Sequence, residues 1–175
     1  MLVFSPLGNN AVRIVGADKP LNVFPKSAKA GDVNLLPSPQ ENAEEGVISW
    51  PGEYDIAGIT VRGIGQEEGQ KVSYAVEIDG MRCAFPNSPL AEWAEADIER
   101  LGDVHVLVLP AQDAKLAQKL LDEIDPRIVI IVPDSEGKMD NEVLKLAGAV
   151  GKDHVTEYKM KGTPAEGREI VVFSV

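Results

Sequence analysis

Short apolar runs separated by polar turns make up the first half of the chain. Runs of this length, rich in β-branched residues and bounded by Gly, Asn, Asp and Pro, are typical of β-strands. The predicted strands of this half cover residues 2–5, 11–15, 21–24, 33–36 and 47–50. Pro37-Ser38-Pro39 follows the fourth of them. Since proline suits neither a helix interior nor a central strand, residues 37–45 are predicted to form a surface loop.

Two hairpins are the clearest signals of strand pairing. Pro51-Gly52 is a strong turn dipeptide, and it leads into β-rich runs over residues 53–56 and 59–64 that Ala57-Gly58 joins. Residues 71–78 alternate apolar and polar side chains, and Asp79-Gly80 joins them to residues 81–85. Because Asp-Gly suits a type I′ turn, we predict a second antiparallel pair here.

The hydrophobic period changes from strand spacing to helix spacing after residue 89. Residues 90–101 carry apolar side chains at helical spacing, and Asp113 can cap a second helix whose apolar stripe ends at Ile124. Further strands are predicted over residues 104–109, 128–132, 155–160 and 169–175, and a third helix over residues 141–150. Sheets covered by helices fit this order better than an all-β barrel or a helical bundle. With no linker or repeat, we predict one domain over residues 1–175.

Composition and charge limit the classes of partner. The chain has 175 residues, of which 44% are hydrophobic, and its formal net charge is −11. An acidic surface repels phosphate backbones and anionic lipid headgroups, so we expect neither a nucleic acid nor a membrane as partner. The single cysteine, Cys83, excludes an intrachain disulfide, and the first residues lack the basic pattern of a signal peptide. A cytoplasmic location is therefore predicted.

Five segments, taken in order, resemble one known family. They cover residues 8–16, 51–64, 75–83, 102–110 and 125–130, and the hairpin that begins Pro51-Gly52-Glu53-Tyr54 is among them. The series resembles small metallo-β-lactamase-fold hydrolases, the group that includes ascorbate-6-phosphate lactonase-like proteins. This resemblance implies an α/β (α+β) fold, an αββα sandwich of metallo-β-lactamase type with two mixed β-sheets flanked by helices. Hydrolases of this family often assemble, so the resemblance also implies a homo-oligomer.

In the resembled family a metal centre lies among these segments, but each recognisable ligand position carries a different residue here. The family's His-x-His-x-Asp-His loop supplies imidazole and carboxylate ligands that hold zinc and leave a position for an activated water. This chain has Pro37-Ser38-Pro39-Gln40-Glu41-Asn42-Ala43 in that place, and Asn9 stands where the family has a Gly-His-Ser motif. The expected bridging Asp falls near Asn87 and the last His near Asp134, while residues 63–69, where another His is expected, contain none.

Six polar residues at or near these positions are predicted to line a vestigial pocket that could bind a small polar ligand, with no metal or other cofactor. They are Asn9, Ser38, Gln40, Asn42, Asn87 and Asp134. Amide oxygens are weak neutral ligands for Zn²⁺, and the chain has two histidines, so one chain cannot supply a multi-histidine centre. From the sequence, replacing Asn42 or Asn87 with Ala is expected to leave folding largely intact.

The remaining chemistry-bearing residues have plain structural interpretations. His105 lies within an apolar strand, His154 precedes a strand and is expected at the surface, and Cys83 is expected to be a buried thiol. Ser38 and Ser88 lie in loops near the expected site, so a Ser-His nucleophile stays open as an alternative. Neither serine lies in a Gly-x-Ser-x-Gly context.

The sequence therefore favours a non-catalytic metallo-β-lactamase-fold protein that has lost its metal site. We assign no catalytic residues. The protein would act by oligomeric assembly, or by binding a protein partner or a small ligand, since a fold can keep its scaffold while its function changes. The alternative is a divergent hydrolase, either dependent on a metal with non-standard ligands or independent of metals.

Overall fold

Fourteen β-strands and three α-helices make up the structure, a computed structural model that describes residues 1–175. In chain order the elements are β1 (Leu2–Gly8), β2 (Ala11–Val15), β3 (Leu21–Val23), β4 (Val33–Leu35), β5 (Val47–Ile48), β6 (Gly52–Ile56), β7 (Ile59–Gln66), β8 (Lys71–Ile78), β9 (Met81–Phe85), α1 (Glu95–Leu101), β10 (Val106–Pro110), α2 (Ala114–Ile124), β11 (Ile128–Val132), α3 (Asn141–Leu146), β12 (His154–Val155), β13 (Tyr158–Met160) and β14 (Glu169–Phe173).

The strands form two mixed β-sheets. The six-stranded sheet has the order β13-β1-β2-β3-β4-β5, and the eight-stranded sheet has the order β12-β14-β11-β10-β9-β8-β7-β6. Both predicted hairpins are present, as the antiparallel pairs β6–β7 and β8–β9. The strands β9, β10, β11, β14 and β12 run parallel, which requires crossover connections, and the three helices lie in these connections.

Two layers of buried apolar side chains hold the sheets and helices together. The first layer lies between the two sheets, and the second lies between the eight-stranded sheet and the helices. Alternation along β10 places Val106 and Val108 in the first layer, and Leu107 and Leu109 in the second. Because this strand is covered on both faces, its sequence is an unbroken apolar run.

A row of polar side chains covers the outer face of the six-stranded sheet, where no helix packs. Arg13, Asn22 and Asn34 are cross-strand neighbours on β2, β3 and β4, and each asparagine is only 1% exposed. Asp32 accepts hydrogen bonds from Arg13 Nη1 at 2.6 Å and Asn22 Nδ2 at 3.0 Å. Asn34 bonds both the N–H and the C=O of Lys29, each at 3.0 Å. The chain around Lys29 therefore closes over this face of the sheet.

The predicted sandwich of two mixed β-sheets with helices is confirmed. All three helices flank the eight-stranded sheet, and none covers the outer face of the six-stranded sheet. No helix has the length and apolar character that a membrane-spanning segment needs. The second helix agrees closely with its prediction, since the Asp113 carboxylate accepts from the Leu116 N–H at 3.2 Å and the helix ends at Ile124.

Three elements differ most from the prediction. The first helix begins at Glu95 instead of residue 90, because the buried Leu90 and Trp93 belong to an irregular segment. The third helix ends at Leu146, and Gly148 follows with a φ of +70°. The single strand predicted over residues 155–160 is wrong. β12 belongs to the eight-stranded sheet and β13 to the six-stranded sheet, so the chain crosses between the sheets here.

Candidate functional site

Several loops meet at one edge of the sandwich, where the resemblance places the former metal ligands. Asn9 Nδ2, in the β1–β2 turn, donates to Ser135 O at 2.9 Å, and the Ser135 N–H donates to Ser88 Oγ at 3.0 Å. Asn87 Nδ2 donates across to Pro37 O at 2.9 Å, in the loop after β4. We call the bonded residues of this edge the loop cluster, which consists of Asn9, Gln66, Ser73, Asn87, Ser88, Gln112, Asp134 and Ser135.

Asn87 is fully bonded within the loop cluster. Its Nδ2 donates to Pro37 O at 2.9 Å and to Val72 O at 3.0 Å, its Oδ1 accepts from the Ser88 N–H at 2.7 Å, and its side chain is buried. A primary amide has two N–H donors and an aspartate has none. A carboxylate in this place would direct a negative oxygen at two carbonyl oxygens. The position that the resemblance assigns to a bridging Asp therefore requires an amide here.

Ser73 and Gln66 extend the loop cluster beneath Asn87. The Ser73 hydroxyl accepts from the Asn87 N–H at 2.9 Å and donates to Gln66 Oε1 at 2.6 Å. Gln66 Nε2 is buried and has no hydrogen-bond partner. Gln66 belongs to residues 63–69, where the resemblance implies a metal-binding His, and it presents an N–H donor there. A donor cannot coordinate a cation.

Ser88 joins three loops through its hydroxyl. Its Oγ donates to Gln112 Oε1 at 2.7 Å and accepts from the Ser135 N–H, and Gln112 Oε1 also accepts from the Leu90 N–H at 3.2 Å. The hydroxyl proton of this buried serine therefore faces an amide oxygen, which has no useful basicity. Activation of a serine nucleophile requires an adjacent base such as His, and no His contacts Ser88.

Asp134 is the one carboxylate among the six predicted pocket residues, and it organises its own loop. Its Oδ1 accepts from the backbone N–H groups of Glu136 and Lys138, each at 2.9 Å, and its own N–H donates to Lys138 O at 2.8 Å. Such bonds from an Asp side chain to the backbone just after it fix a turn. Asp134 therefore fixes the turn at residues 134–138, and Ser135 O in this turn accepts the hydrogen bond from Asn9 in the β1–β2 turn.

The other three predicted residues line a separate pocket. Ser38, Gln40 and Asn42 line a pocket of about 440 Å³ together with residues 25–28, and its only charged lining residues are Lys26 and Glu44. Two side chains fix the backbone of Gln40. Its N–H donates to Ser49 Oγ at 3.0 Å, and its C=O accepts from Trp50 Nε1 at 3.1 Å. The structure thus divides the six predicted residues between this pocket and the loop cluster, and their joint role in binding a ligand stays a prediction.

The histidines and the cysteine lie away from the loop cluster. His105 Nδ1 accepts from the Arg82 N–H at 2.9 Å at the opposite end of β9, and His154 is exposed on β12. Cys83 is buried, which raises the pKa of its thiol to about 12. No three His, Cys, Asp or Glu side chains lie close enough to hold a metal ion. The residues present therefore do not fit the zinc centre that the fold implies.

Sequence reasoning missed several members of the loop cluster. Gln112 follows β10 and Ser135 follows β11, at the edge where the carboxyl ends of parallel strands collect polar groups. That rule could have found both of them. Ser73 occupies one of the polar positions of the alternating run at residues 71–78, so the sequence pattern carries no signal that its hydroxyl is buried.

Comparisons with known proteins agree with this architecture. No family model matches the chain, and no curated protein matches its sequence. Among solved structures, it is similar to a protein from Thermotoga maritima described as a Zn-dependent hydrolase of the metallo-β-lactamase superfamily. The TM-score is 0.76 and the identity 18%, over 99% of this chain and 98% of that one. It is also similar to the metallo-β-lactamase-fold protein YhfI from Bacillus subtilis, with a TM-score of 0.64 and 8% identity over 98% and 95% of the two chains.

A third similar structure is Igni18, a metallo hydrolase from Ignicoccus hospitalis, with a TM-score of 0.61 and 13% identity over 91% of this chain and 99% of that one. Likeness over nearly the whole chain at such low identity shows a shared fold. The chain has the metallo-β-lactamase fold, as the resemblance predicts.

Proposed function

We propose that this metallo-β-lactamase-fold chain is not catalytic and acts by binding a small polar ligand or a protein partner. The observation that carries the proposal is the bonding of Asn87, which donates both amide hydrogens to Pro37 O and Val72 O. A zinc site of this fold would need an acceptor there. The direction of these two hydrogen bonds is opposite to what a metal ligand requires.

The rest of the loop cluster supports the same proposal, because its polar groups bond to one another. Asn9 bonds Ser135, Ser88 bonds Gln112, and Asp134 bonds the backbone of its own loop. Catalytic zinc sites use three protein ligands, drawn from His, Cys, Asp and Glu. The loop cluster contains one carboxylate, that of Asp134, and its Oδ1 already accepts two hydrogen bonds. Only Asp134 Oδ2 accepts no hydrogen bond from the protein, so the loop cluster offers one such oxygen where zinc needs three ligands.

A small polar ligand has its best candidate site in the pocket that Ser38, Gln40 and Asn42 line. Its lining is mostly polar, and the charges of its two charged residues, Lys26 and Glu44, cancel. The Ser49 and Trp50 side chains hold the backbone of Gln40 in place. A pocket of about 440 Å³ is within the usual size range of small-molecule sites, about 300–1,000 Å³.

Metal analysis of the chain purified without chelator tests the proposal against a divergent metal-dependent hydrolase. We expect much less than one zinc, iron or manganese ion per chain. The Asn87→Asp variant sharpens the test, because it restores the carboxylate that the resemblance implies. It should lower the melting temperature, and added zinc should not restore it. Asn42→Asp, which adds the same charge at an exposed position, is the control. Stoichiometric metal, or rescue of Asn87→Asp by zinc, would contradict the proposal.

Assembly into a homo-oligomer and a cytoplasmic location are further parts of the proposal. Val15 is 44% exposed and lies opposite Val3 on the outer face of the six-stranded sheet, where no helix packs. Size-exclusion chromatography with light scattering should give a multiple of 18.8 kDa, and a monomer at every concentration would count against assembly.

A further inference from the structure

Three arginines surround a small pocket on the helix side of the eight-stranded sheet, well away from the loop cluster. The pocket has a volume of about 240 Å³ and lies between β6–β9 and the end of α1. Ala75, on β8, is one of its lining residues, beside Arg62 on β7, Arg82 on β9 and Arg100 on α1. We call it the arginine pocket.

The charge of the arginine pocket is opposite to that of the whole chain. Glu53 and Glu77 are its only acidic lining residues, so three positive charges face two negative ones in a chain with a net charge of −11. Lysines outnumber arginines by eleven to six in the sequence, yet every cation lining this pocket is an arginine. Arginine offers a planar fork of N–H donors that matches carboxylate and phosphate oxygens.

Arg62 is held in place by two bonds. Its Nη2 donates to Glu53 Oε1 at 2.9 Å, and its Nη1 reaches Arg100 O at 3.4 Å, at the end of α1. A guanidinium has five N–H donors, so these two bonds leave donors available. Arg62 therefore forms a fixed wall of the pocket, with Glu53 neutralised beside it.

Arg82 and Arg100 keep most of their donors. Arg82 Nε lies 3.8 Å from Glu77 Oε2, which is too long for a hydrogen bond, and Arg100 has no acidic group within ion-pair distance. The backbone of Arg82 is nonetheless fixed, because its N–H donates to His105 Nδ1 and its C=O accepts from the His105 N–H. Arg82 is thus anchored at its backbone and its guanidinium makes one long ion pair with Glu77, while the Arg100 guanidinium has no acidic partner.

We propose that the arginine pocket binds a small organic anion, in which a carboxylate or phosphate group carries a compact apolar part. Arg82 and Arg100 would bond the anionic group, and Ala75, Leu101 and Val104 would contact the apolar part. Ala75, Leu101 and Val104 are the lining residues whose apolar side chains lie on the helix side of the sheet, and this apolar wall favours an organic anion over a bare inorganic one. The volume lies just below the usual range for small-molecule sites, so the ligand should be smaller than a typical drug.

This proposal does not depend on whether the chain is catalytic. Arg82 lies near the start of β9 and Asn87 lies beyond its end. Five residues of extended chain separate them by about 16 Å. A failure to bind anions at the arginine pocket would therefore say nothing about the loop cluster, and metal binding at the loop cluster would say nothing about the arginine pocket.

Nuclear magnetic resonance titration of the ¹⁵N-labelled full chain tests the proposal. The probes are phenyl phosphate, benzoate, inorganic phosphate and, as a neutral control, benzyl alcohol. Phenyl phosphate or benzoate should shift the amide signals of Arg62, Ala75, Arg82 and Leu101, and the tighter of the two identifies the anionic group. Benzyl alcohol should shift none of these signals. Inorganic phosphate binding as tightly as phenyl phosphate, or shifts scattered over the surface, would overturn the proposal.

Matched variants separate a built pocket from general electrostatics. Arg82→Gln and Arg100→Gln should each weaken binding roughly tenfold, since each removes charge-assisted hydrogen bonds. Arg127→Gln removes the same charge at an exposed position outside the pocket and should change affinity less than about twofold. Ala75→Leu fills the pocket without changing its charge and should abolish binding, while Glu77→Gln removes a competing carboxylate and should tighten it. Equal losses for Arg127→Gln and Arg82→Gln would overturn the proposal.

Discussion

Replacing Asn87 with Ala removes the side chain that ties three segments of the loop cluster together. The change leaves Val72 O and the Ser88 N–H without the Asn87 side chain at a site that is only 4% exposed, while Pro37 O keeps the hydrogen bond from the Val72 N–H. A buried polar group left unpaired costs about 1–3 kcal/mol. Water entering the space that the amide vacates can satisfy part of this loss, so we expect the free energy of unfolding to fall by about 2–4 kcal/mol. From the structure we therefore predict that Asn87→Ala is destabilising, whereas the sequence alone predicts that folding stays largely intact.

Urea unfolding followed by circular dichroism measures this loss. For a chain of this size each kcal/mol corresponds to about 2–4 °C in melting temperature, so Asn87→Ala should melt roughly 10 °C lower. Asn42→Ala is the matched control, because Asn42 is exposed and makes no hydrogen bond through its side chain, and it should change stability by less than about 0.5 kcal/mol. A loss below about 1 kcal/mol for Asn87→Ala would refute the reasoning, since the buried carbonyls would then not need the amide.

The pH dependence of Asn87→Asp separates lost donors from lost volume. Burial beside two carbonyl oxygens favours the neutral carboxyl, so the folded-state pKa of this Asp should lie above its unfolded value. The variant should therefore be least impaired at acidic pH, where the protonated carboxyl can donate one hydrogen bond, and lose stability as the pH rises. Asn87→Ala should show no such dependence.

Three further predictions concern buried polar groups elsewhere in the sandwich. Burial raises the pKa of Asp32, but hydrogen bonds from Arg13 and Asn22 outweigh it and hold that pKa below the ordinary value of 3.8. The stabilising contribution of Asp32 is therefore lost as the pH falls through that lowered pKa. When the pH is lowered below 3.8, the urea midpoint of Arg13→Gln should decrease by less than the urea midpoint of the unmodified chain. Tyr74→Phe removes a buried hydroxyl that bonds Leu36 O at 2.6 Å, and thermal unfolding should show a loss of about 1–2 kcal/mol, more than for Tyr158→Phe, whose hydroxyl bonds the exposed Glu169. Burial raises the pKa of Cys83 to about 12, so a thiol reagent should label it rapidly only in denaturant, and fast labelling of the folded chain would contradict this burial.

The sequence predicts best those features that depend on neighbours along the chain. Asp79-Gly80 specifies the β8–β9 turn locally, and Asp113 caps α2 because its own third neighbour, Leu116, offers an N–H. The strand at residues 128–132 is predictable for a similar reason, since a run of apolar residues without polar positions must be covered on both faces. Each of these inferences uses a span of a few residues.

The loop cluster depends on contacts between distant residues, and its bonding could not be predicted in the same way. Asn87 bonds Pro37, fifty residues away, and Asn9 bonds Ser135 across 126 residues. The resemblance locates these positions, but it does not say whether an asparagine there donates or accepts. The crossing between β12 and β13 has the same origin, because the register of each short strand is set by a partner far away in the sequence.

The direction of hydrogen bonding explains why the loop cluster is not one substitution away from a metal site. A zinc centre directs lone pairs at one point, whereas Asn9 and Asn87 direct N–H groups at carbonyl oxygens, and the Gln66 Nε2 donor is buried without a partner. Replacing any one of these amides by a ligand sets an acceptor against an acceptor while its neighbours still donate. Changes within one hydrogen-bond network are not additive, so single reversions lose stability without gaining a coordination shell. The donors must therefore change together before a coordination shell can form.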